Sequence, residues 1–283
     1  MGLEESLLDA NTKIAFIGGD SMAKAMLSGL IKHGHPRDHL LVTSPNNQSR
    51  QEINQRYFIN TDANYSKAVH FADVIVLAVE SEKVSEMCLQ LNDEMEAQQQ
   101  RALVICVAAG VSFQQLSENL GGTSRIVCAM PNMSSSICKG LTGLYSSSAL
   151  EQDDRLLCDQ IMQAVGETVW LQTESLMSSI VATSGSSPAY FYLFMEAMEK
   201  AAIEQGLDPD IAKSSILQSA LGAVSIAMRS EKSLSELRKD VASSKGSTEK
   251  AVSAFQSGDI DGLVSKAMKS AAKRVDEIYQ RNN

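Results

Sequence analysis

Apolar and polar positions alternate in blocks along the chain up to about residue 170. Short, almost continuously apolar runs are separated by longer polar or amphipathic segments. The runs fall at residues 14–17, 40–43, 57–59, 74–79, 103–107 and 126–129, with two further candidates at 141–145 and 168–171. Strands buried on both faces of a parallel sheet have this composition, because helices cover both faces. The pattern therefore predicts an α/β domain built on a doubly wound parallel sheet.

From about residue 173 the pattern becomes helical. Ser187-Pro188 and Asp208-Pro209 each place a capping residue before a proline, which predicts helices over 188–204 and 209–229. Two more are predicted over 246–256 and 259–280. Their faces carry many small apolar residues, which indicates burial against a second copy of the chain. The sequence thus predicts two domains, 1–172 and 173–283, of which the second is all-helical and mediates dimerisation.

The turn after the first strand carries the main candidate chemistry. Residues 13–25 read KIAFIGGDSMAKA, which is an apolar strand, the pair Gly18-Gly19 and an amphipathic helix. A glycine turn lets the backbone approach a pyrophosphate, and the helix N-terminus offers free N–H groups. In the pattern G-x-G-x-x-A, Asp20 stands at the second glycine. Its carboxylate either repels a pyrophosphate or, like Ser21, serves as the N-cap of the helix.

Charge and composition narrow the classes of partner. The 283-residue chain carries 25 basic and 34 acidic residues, for a formal charge of −9, which argues against nucleic acid or an anionic membrane as a partner. It has neither a basic leader segment nor an uninterrupted apolar run of about 18 residues, so we expect a cytoplasmic protein. The five cysteines lack C-x-x-C spacing, and a metal site is therefore not expected. Cys106 and Cys128 lie in apolar runs and are predicted to be buried.

The histidines give a hint about the type of reaction. All four, His33, His35, His39 and His70, lie in the first domain near the ends of elements, where surface or loop positions away from a nucleotide crevice are expected. The helical domain therefore offers no histidine as a general acid. A carbonyl reductase needs a donor for the developing alkoxide, whereas a protonated imine already carries its electron sink. The pattern favours an imine over a carbonyl substrate.

A second candidate site lies in the segment VASSKGST, residues 241–248. The N–H groups of Gly246, Ser247 and Thr248 could form a nest for a carboxylate. Alternatively, the segment is a loop that caps the next helix through Gly246 or Ser244.

Two further segments follow predicted strands or precede a helix. Asn132 comes directly after Met130-Pro131, at the carboxyl end of a strand, where a doubly wound sheet places ligand contacts. The segment SGSSPAY, residues 184–190, is predicted to be a loop that closes onto a helix N-terminus and serves mainly in packing.

Taken together, four segments resemble the motifs of the pyrroline-5-carboxylate reductase family. The resemblance covers the chain from about Lys13, and the motifs follow in the family's order and spacing. They stand here as FIGGDSMA (16–23), MPNMSS (130–135), SGSSPAY (184–190) and LRKDVASSKGST (237–248). The resemblance implies a Rossmann domain followed by a helical dimerisation domain. It also implies hydride transfer from NADPH, or alternatively NADH, to the C=N bond of 1-pyrroline-5-carboxylate, which gives L-proline.

The resemblance implies a role for each matching residue. Substrate carboxylate binding would fall to the loop residues Ser243, Gly246, Ser247 and Thr248, with the Thr248 hydroxyl near the ring nitrogen as the catalytic contact. Pyrophosphate contacts would come from Gly18, Gly19, Ser21 and Met22. The adenosine ribose or its phosphate would meet Thr43, Ser44 and Asn46. The rest of the groove would be lined by Asn64, Ala78, Val79 and Ala108, with Asn132 at the nicotinamide end.

The chain departs from the family pattern at several motif positions. The departures are Asp20 for glycine, Ser21 for asparagine, Glu80-Ser81 for Lys-Pro, Ser187 for glycine, and Ser244-Lys245 for Pro-Gly. Asp20 and Glu80 make the cofactor groove acidic. No acidic residue follows the second strand to bind a ribose diol, which favours NADPH over NADH. The nearest basic residue, Arg50, lies several positions from the point where the additional phosphate of NADPH would bind.

The departures leave two alternative functions open. A diverged paralogue that keeps the dimer but has lost efficient catalysis, and acts as a binding or regulatory protein, is favoured by Asp20 and Glu80. A reductase of another small imine or of a β-hydroxyacid is the other alternative. A hydroxyacid enzyme would need a lysine shortly after residues 184–190, and Lys200 lies about three helical turns further on.

Overall fold

The computed structural model describes residues 8–123, 125–243 and 246–282. The chain forms two compact units. The first comprises the described residues up to Ser186 together with those from Ala271 onward, and the second comprises Ser187–Ser270. The boundary between the units lies at Ser186/Ser187. The predicted domain boundary at 172/173 lies earlier in the chain and stays a prediction.

The first unit is built on an eight-stranded sheet of order β3-β2-β1-β4-β5-β6-β7-β8. The strands are β1 (Ile14–Ile17), β2 (Leu40–Thr43), β3 (Asn60–Asp62), β4 (Val74–Leu77), β5 (Leu103–Cys106), β6 (Ile126–Met130), β7 (Gly140–Tyr145) and β8 (Gly166–Trp170). Strands β1 to β6 are parallel, β7 pairs antiparallel with β6, and β8 is parallel to β7. The predicted doubly wound α/β fold is confirmed.

Helices connect the strands and make up the second unit. Those of the first unit are α1 (Ser21–Lys32), α2 (Asn47–Tyr57), α3 (Ser66–Phe71), α4 (Ser81–Ala97), α5 (Phe113–Asn119), α6 (Gln152–Gln163) and the short α7 (Met177–Ile180). The second unit contains α8 (Ser187–Glu204), α9 (Pro209–Arg229), α10 (Leu234–Val241), α11 (Ser247–Ser257) and the beginning of α12 (Ile260–Asn282), which from Ala271 onward belongs to the first unit. Asp208 caps α9 by accepting from the N–H groups of Asp210 and Ile211, with Pro209 in the first turn as predicted.

Alternate residues of each strand pack into hydrophobic clusters on opposite faces of the sheet. In β1, Ile14 and Phe16 belong to one cluster, whereas Ala15 and Ile17 belong to the other. Because both faces of the strand are buried, the whole strand is apolar, which explains the short continuous runs of the sequence. Cys106 and Cys128 lie in the second cluster, and their predicted burial is confirmed. Burial raises the pKa of Cys106 to about 12.

The helical unit has little interior of its own. Among its described residues, Ala212 alone is fully buried, while leucines, isoleucines and aromatic residues of α8 and α9 are exposed. Helix α9 is long and apolar enough to cross a bilayer, with a mean hydropathy of 1.3 and only 11% of that window buried. A surface this apolar requires a partner surface.

Candidate functional site

The glycine turn closes tightly after β1. Gly18 donates its N–H to the Thr43 carbonyl at 2.9 Å and has φ +100°, a conformation that favours glycine. A Cβ at Gly18 would collide with the Ala78 carbonyl oxygen. A Cβ at Gly19 would lie 2.5 Å from the Ser49 Oγ, whose hydroxyl donates to the Gly19 carbonyl at 3.2 Å. Gly18 is therefore required by its positive φ and by the close backbone of Ala78, and Gly19 by the close side chains of Ser49 and Ile53.

Helix α1 begins directly after this turn. Asp20 occupies the N-cap position, but its side chain forms no capping hydrogen bond within the described structure. The N–H groups of the first turn, from Ser21 onward, are thus not occupied by that side chain. Together with the positive end of the helix dipole, they suit an anion such as a pyrophosphate. The residues present fit the phosphate portion of a dinucleotide.

The other predicted cofactor residues lie along one edge of the sheet. They lie at or just after the carboxyl ends of β2 (Thr43, Ser44, Asn46), β3 (Asn64), β4 (Ala78, Val79), β5 (Ala108) and β6 (Asn132). Strand order reverses at β1, which is flanked by β2 and β4, and ligands of doubly wound sheets bind at such a switch point. The structure therefore brings these residues to the edge at which the fold binds a dinucleotide.

The side chains at this edge differ in their exposure and in the hydrogen bonds that they already form within the protein. Thr43 is fully buried and its hydroxyl donates to the Phe16 carbonyl at 3.4 Å, so this side chain stabilises the sheet. Asn46 is exposed and accepts the Ser49 N–H at 3.1 Å as the N-cap of α2. Asn64 is exposed, and its Oδ1 accepts the Ser66 N–H at 3.0 Å.

Asn132 is held by Ser184, a residue of the segment that the sequence predicts to serve mainly in packing. Its Nδ2 donates to the Ser184 Oγ at 2.9 Å and to the Ser184 carbonyl at 3.1 Å. Ser184 lies in a π-helical turn, Val181–Gly185, and its hydroxyl also donates to the Leu141 carbonyl at 3.3 Å. Single π-turns recur at functional sites. Asn132 and Ser184, one residue from each of two motifs, thus meet within the first unit after the carboxyl end of β6.

In the helical unit, the predicted carboxylate loop ends at the start of α11. Gly246 is the N-cap, and its N–H donates to the Ser243 carbonyl at 3.1 Å, so this N–H is already used. Among the described residues, the N–H groups of Ser247 and Thr248 have no protein partner. Ser244 and Lys245 lie outside the described residues. The nest that remains consists of these two amides, with the Thr248 hydroxyl beside them.

Comparisons with known proteins identify the family. Residues 174–278 match the family model described as pyrroline-5-carboxylate reductase dimerisation, and residues 13–110 match that of the coenzyme F420-dependent NADP oxidoreductases. The pyrroline-5-carboxylate reductase of Vibrio alginolyticus is 36% identical over 269 residues, covering 94% of this chain and 97% of the relative. The chain belongs to the pyrroline-5-carboxylate reductase family.

Solved structures agree with this assignment. A pyrroline-5-carboxylate reductase from Coxiella burnetii superposes with a TM-score of 0.90 at 36% identity, covering 94% of this chain and 98% of that one. The enzyme from Plasmodium falciparum, solved with NADP bound, has the same fold, with a TM-score of 0.83, 22% identity and coverage of 95% and 99%.

The structure shows how this pyrroline-5-carboxylate reductase family member accommodates the acidic departures of its cofactor motif. Glu80 forms an ion pair with Lys83 at 2.6 Å, one turn into α4. This contact with Glu80 raises the pKa of Lys83, and the charge of Asp20 raises it further. Lys83 therefore pairs with Glu80 and offsets the negative charge of that side chain.

Arg50 also lies closer to the groove than its sequence position indicates. Its Nη1 donates to the Ser44 carbonyl at 2.6 Å and its Nη2 to the Asn47 Oδ1 at 3.0 Å. Helix α2 begins at Asn47, so Arg50 lies in its first turn and its long side chain folds back over the β2–α2 loop. The sequence analysis did not consider Lys83, placed Arg50 several positions away, and expected Ser184 to serve mainly in packing. The lengths of the Arg50 and Lys83 side chains and the π-turn at Ser184 are not visible as sequence patterns.

Proposed function

We propose that this protein reduces 1-pyrroline-5-carboxylate to L-proline with a reduced nicotinamide cofactor. The observation that carries the proposal is 36% identity to a pyrroline-5-carboxylate reductase over 94% of the chain. The tight glycine turn and the open first turn of α1 support dinucleotide binding. The alternative of a paralogue without catalysis is weakened by Lys83, which forms an ion pair with Glu80, one of the two carboxylates that motivate that alternative.

Each site has its own task in this reaction. The nicotinamide, when bound, supplies a hydride. The N–H groups of Ser247 and Thr248 bind the substrate carboxylate, and the Thr248 hydroxyl orients the ring nitrogen by a hydrogen bond. The substrate enters as a protonated imine, so the hydride that adds to its carbon gives a neutral amine without a further acid. This accounts for a helical domain without a histidine.

We further propose the finer properties of the enzyme. NADPH is the preferred cofactor, because no acidic residue follows β2 to bind a ribose diol. The protein is a cytoplasmic homodimer, or an assembly of such dimers, formed through the helical unit. The exposed apolar face of α9 supports a dimer interface, as does the match to a dimerisation family over residues 174–278.

The test is oxidation of NADPH and of NADH by the purified protein, with and without 1-pyrroline-5-carboxylate. We expect substrate-dependent oxidation of NADPH. Thr248→Val should lower kcat/KM by about ten- to a hundredfold, the value of one hydrogen bond to a charged group. Thr248→Ser, which keeps the hydroxyl, should stay within a few-fold of the wild type. Absence of turnover together with absence of cofactor binding by calorimetry would instead favour the non-catalytic paralogue.

A further inference from the structure

The loop between β5 and α5, residues 107–112, follows the carboxyl end of β5, at the edge proposed to bind the cofactor. At its start, the Val107 N–H donates to the Leu77 carbonyl at 3.0 Å, and further along Val111 is buried in the second hydrophobic cluster. The residues between them have no polar side-chain atoms and are Ala108, Ala109 and Gly110. The loop can therefore offer a ligand mainly its backbone groups, so its affinity depends on where that backbone is held.

The far end of this loop is held by a carboxylate from a distant part of the chain. Phe113 is the first residue of α5, and its N–H donates to the Glu174 Oε1 at 2.5 Å across a separation of 61 residues. Glu174 begins the 3₁₀ turn Glu174–Leu176, which comes after β8. An N–H at the start of a helix has no partner within that helix, so a side chain that accepts it fixes the point at which the helix begins.

The Glu174 carboxylate is half-buried among uncharged groups. Within the described residues it forms no ion pair, and the titratable groups that face it are Cys128 of β6, Tyr145 of β7 and Tyr279 of α12. Burial raises the pKa of Glu174, against the opposing effect of the Phe113 N–H. The hydrogen bond from Phe113, rather than a cation, thus stabilises the negative charge. Protonation weakens this bond, because a hydrogen bond to an ionised acceptor is about twice as strong as one to a neutral acceptor.

We propose that Glu174 is a positioning residue for the cofactor, whose ionised carboxylate holds the loop 107–112 in the position that binds the dinucleotide. The inference rests on the proposed reductase function. It goes beyond that function by assigning a role to a residue outside the cofactor motifs and by linking cofactor affinity to the protonation of this residue. Because the cofactor binds better to the protein with ionised Glu174, its affinity falls as the pH drops through the raised pKa of that carboxyl.

The experiment compares the wild type with Glu174→Gln, which keeps the shape and the acceptor oxygen but not the charge. The Kd of NADP⁺ is measured by calorimetry at pH 7.5 and pH 5.5. The phosphate of NADP⁺ itself titrates near pH 6, so the ratio of variant to wild-type Kd is compared at each pH. We expect a ratio of about five at pH 7.5 and a ratio that falls toward one at pH 5.5.

Two further measurements separate positioning from a general loss of structure. Without cofactor, amide hydrogen exchange in residues 107–113 should be faster in Glu174→Gln than in the wild type at pH 7.5. In turnover assays, KM for NADPH should rise about fivefold, while KM for 1-pyrroline-5-carboxylate stays within about twofold.

The matched control is Glu118→Gln, which removes the same charge from an exposed position of α5. Its Kd ratio should be one at both pH values. A Glu174→Gln ratio of one at pH 7.5, an equal loss at both pH values, or a lower Tm without a change in Kd would overturn the inference and leave the reductase proposal intact. A wild type that binds NADP⁺ with the expected dependence on Glu174 but does not reduce 1-pyrroline-5-carboxylate would overturn only the proposed reaction.

Discussion

Asp20 has φ −77° and ψ −176°, a backbone conformation that any residue adopts. The aspartate therefore costs no backbone strain at a position where the nucleotide-binding pattern has glycine. Its effect on a bound pyrophosphate is electrostatic, and because the side chain is exposed, solvent screens the repulsion. Lys83 offsets a further part of it.

We therefore predict that neutralising Asp20 tightens cofactor binding. Asp20→Asn and Asp20→Gly should both lower the Kd of NADPH by about two- to tenfold, measured by calorimetry at low salt. The matched control is Asp93→Asn, an exposed aspartate of α4, which should leave the Kd unchanged. The gain should be larger in a Lys83→Met background, since the aspartate is then no longer offset. An unchanged or weaker affinity would show that the chain uses a different turn and that the repulsion argument is wrong.

At the scale of elements, the connection between α1 and β2 contains a feature that the sequence did not reveal. His35, which was expected to be a surface or loop residue, is 3% exposed. Burial is the largest influence and lowers the pKa of His35; the Thr12 backbone opposes this, His39 lowers the pKa further, and Asp38 and Asp9 raise it by less. The ring is therefore buried in its neutral form.

This burial predicts a pH dependence of stability. Because the pKa of His35 is lower in the folded than in the unfolded protein, the unfolded chain binds the proton more tightly. The stability that neutral His35 contributes is present above its unfolded pKa of about 6.5 and is lost as the pH falls toward the lower folded pKa. Thermal unfolding at pH 7 and pH 5 should show a smaller drop in Tm for His35→Gln than for the wild type. His70→Gln, at an exposed histidine of α3, should behave like the wild type, and equal drops in all three proteins would refute the argument.

Sequence patterns predict best the strands that are buried on both faces. Strands β1, β2, β4, β5 and β6 are buried on both faces, and their apolar runs mark them within a residue or two. The run at 57–59 was wrongly predicted as a strand, because Tyr57 ends α2 and the strand is the polar Asn60–Asp62. That strand lies at the sheet edge, where side chains are partly exposed, so it lacks an apolar signature.

Helix α10 was missed although the sequence contains its signal. Ser233 and Glu236 form a capping box, in which each side chain binds the backbone N–H of the other residue. The S-x-x-E pattern is readable in the sequence and marks a helix start. The positions of Arg50 and Lys83 at the cofactor edge had no comparable signal, because they depend on where a neighbouring helix begins and how far a long side chain reaches.

At the scale of the whole molecule, the helical unit depends on association. Leu221 of α9 is 61% exposed, and Leu89 of α4 in the first unit is 54% exposed. The two leucines are thus similarly accessible within one chain, but only Leu221 lies in a unit whose apolar side chains are mostly exposed. Homodimer interfaces are apolar, and a charge within one is costly because it loses its hydration.

We predict that Leu221→Glu disrupts the dimer, whereas the matched Leu89→Glu does not. Molar mass measured by light scattering at micromolar concentration should fall toward that of one chain for Leu221→Glu and should remain that of the wild type for Leu89→Glu. A Leu221→Glu protein that keeps the wild-type mass would place the interface on another face.

Helix α12 begins in the helical unit, while its last turns belong to the first unit, where Tyr279 packs against the hydrophobic cluster of the sheet. The first unit is thus encoded by two separated stretches of the chain. During translation, a ribosome must synthesise the entire helical unit before the residues that complete the first unit become available. The nucleotide-binding unit consequently cannot reach its final packing early in synthesis, although most of its strands leave the ribosome first.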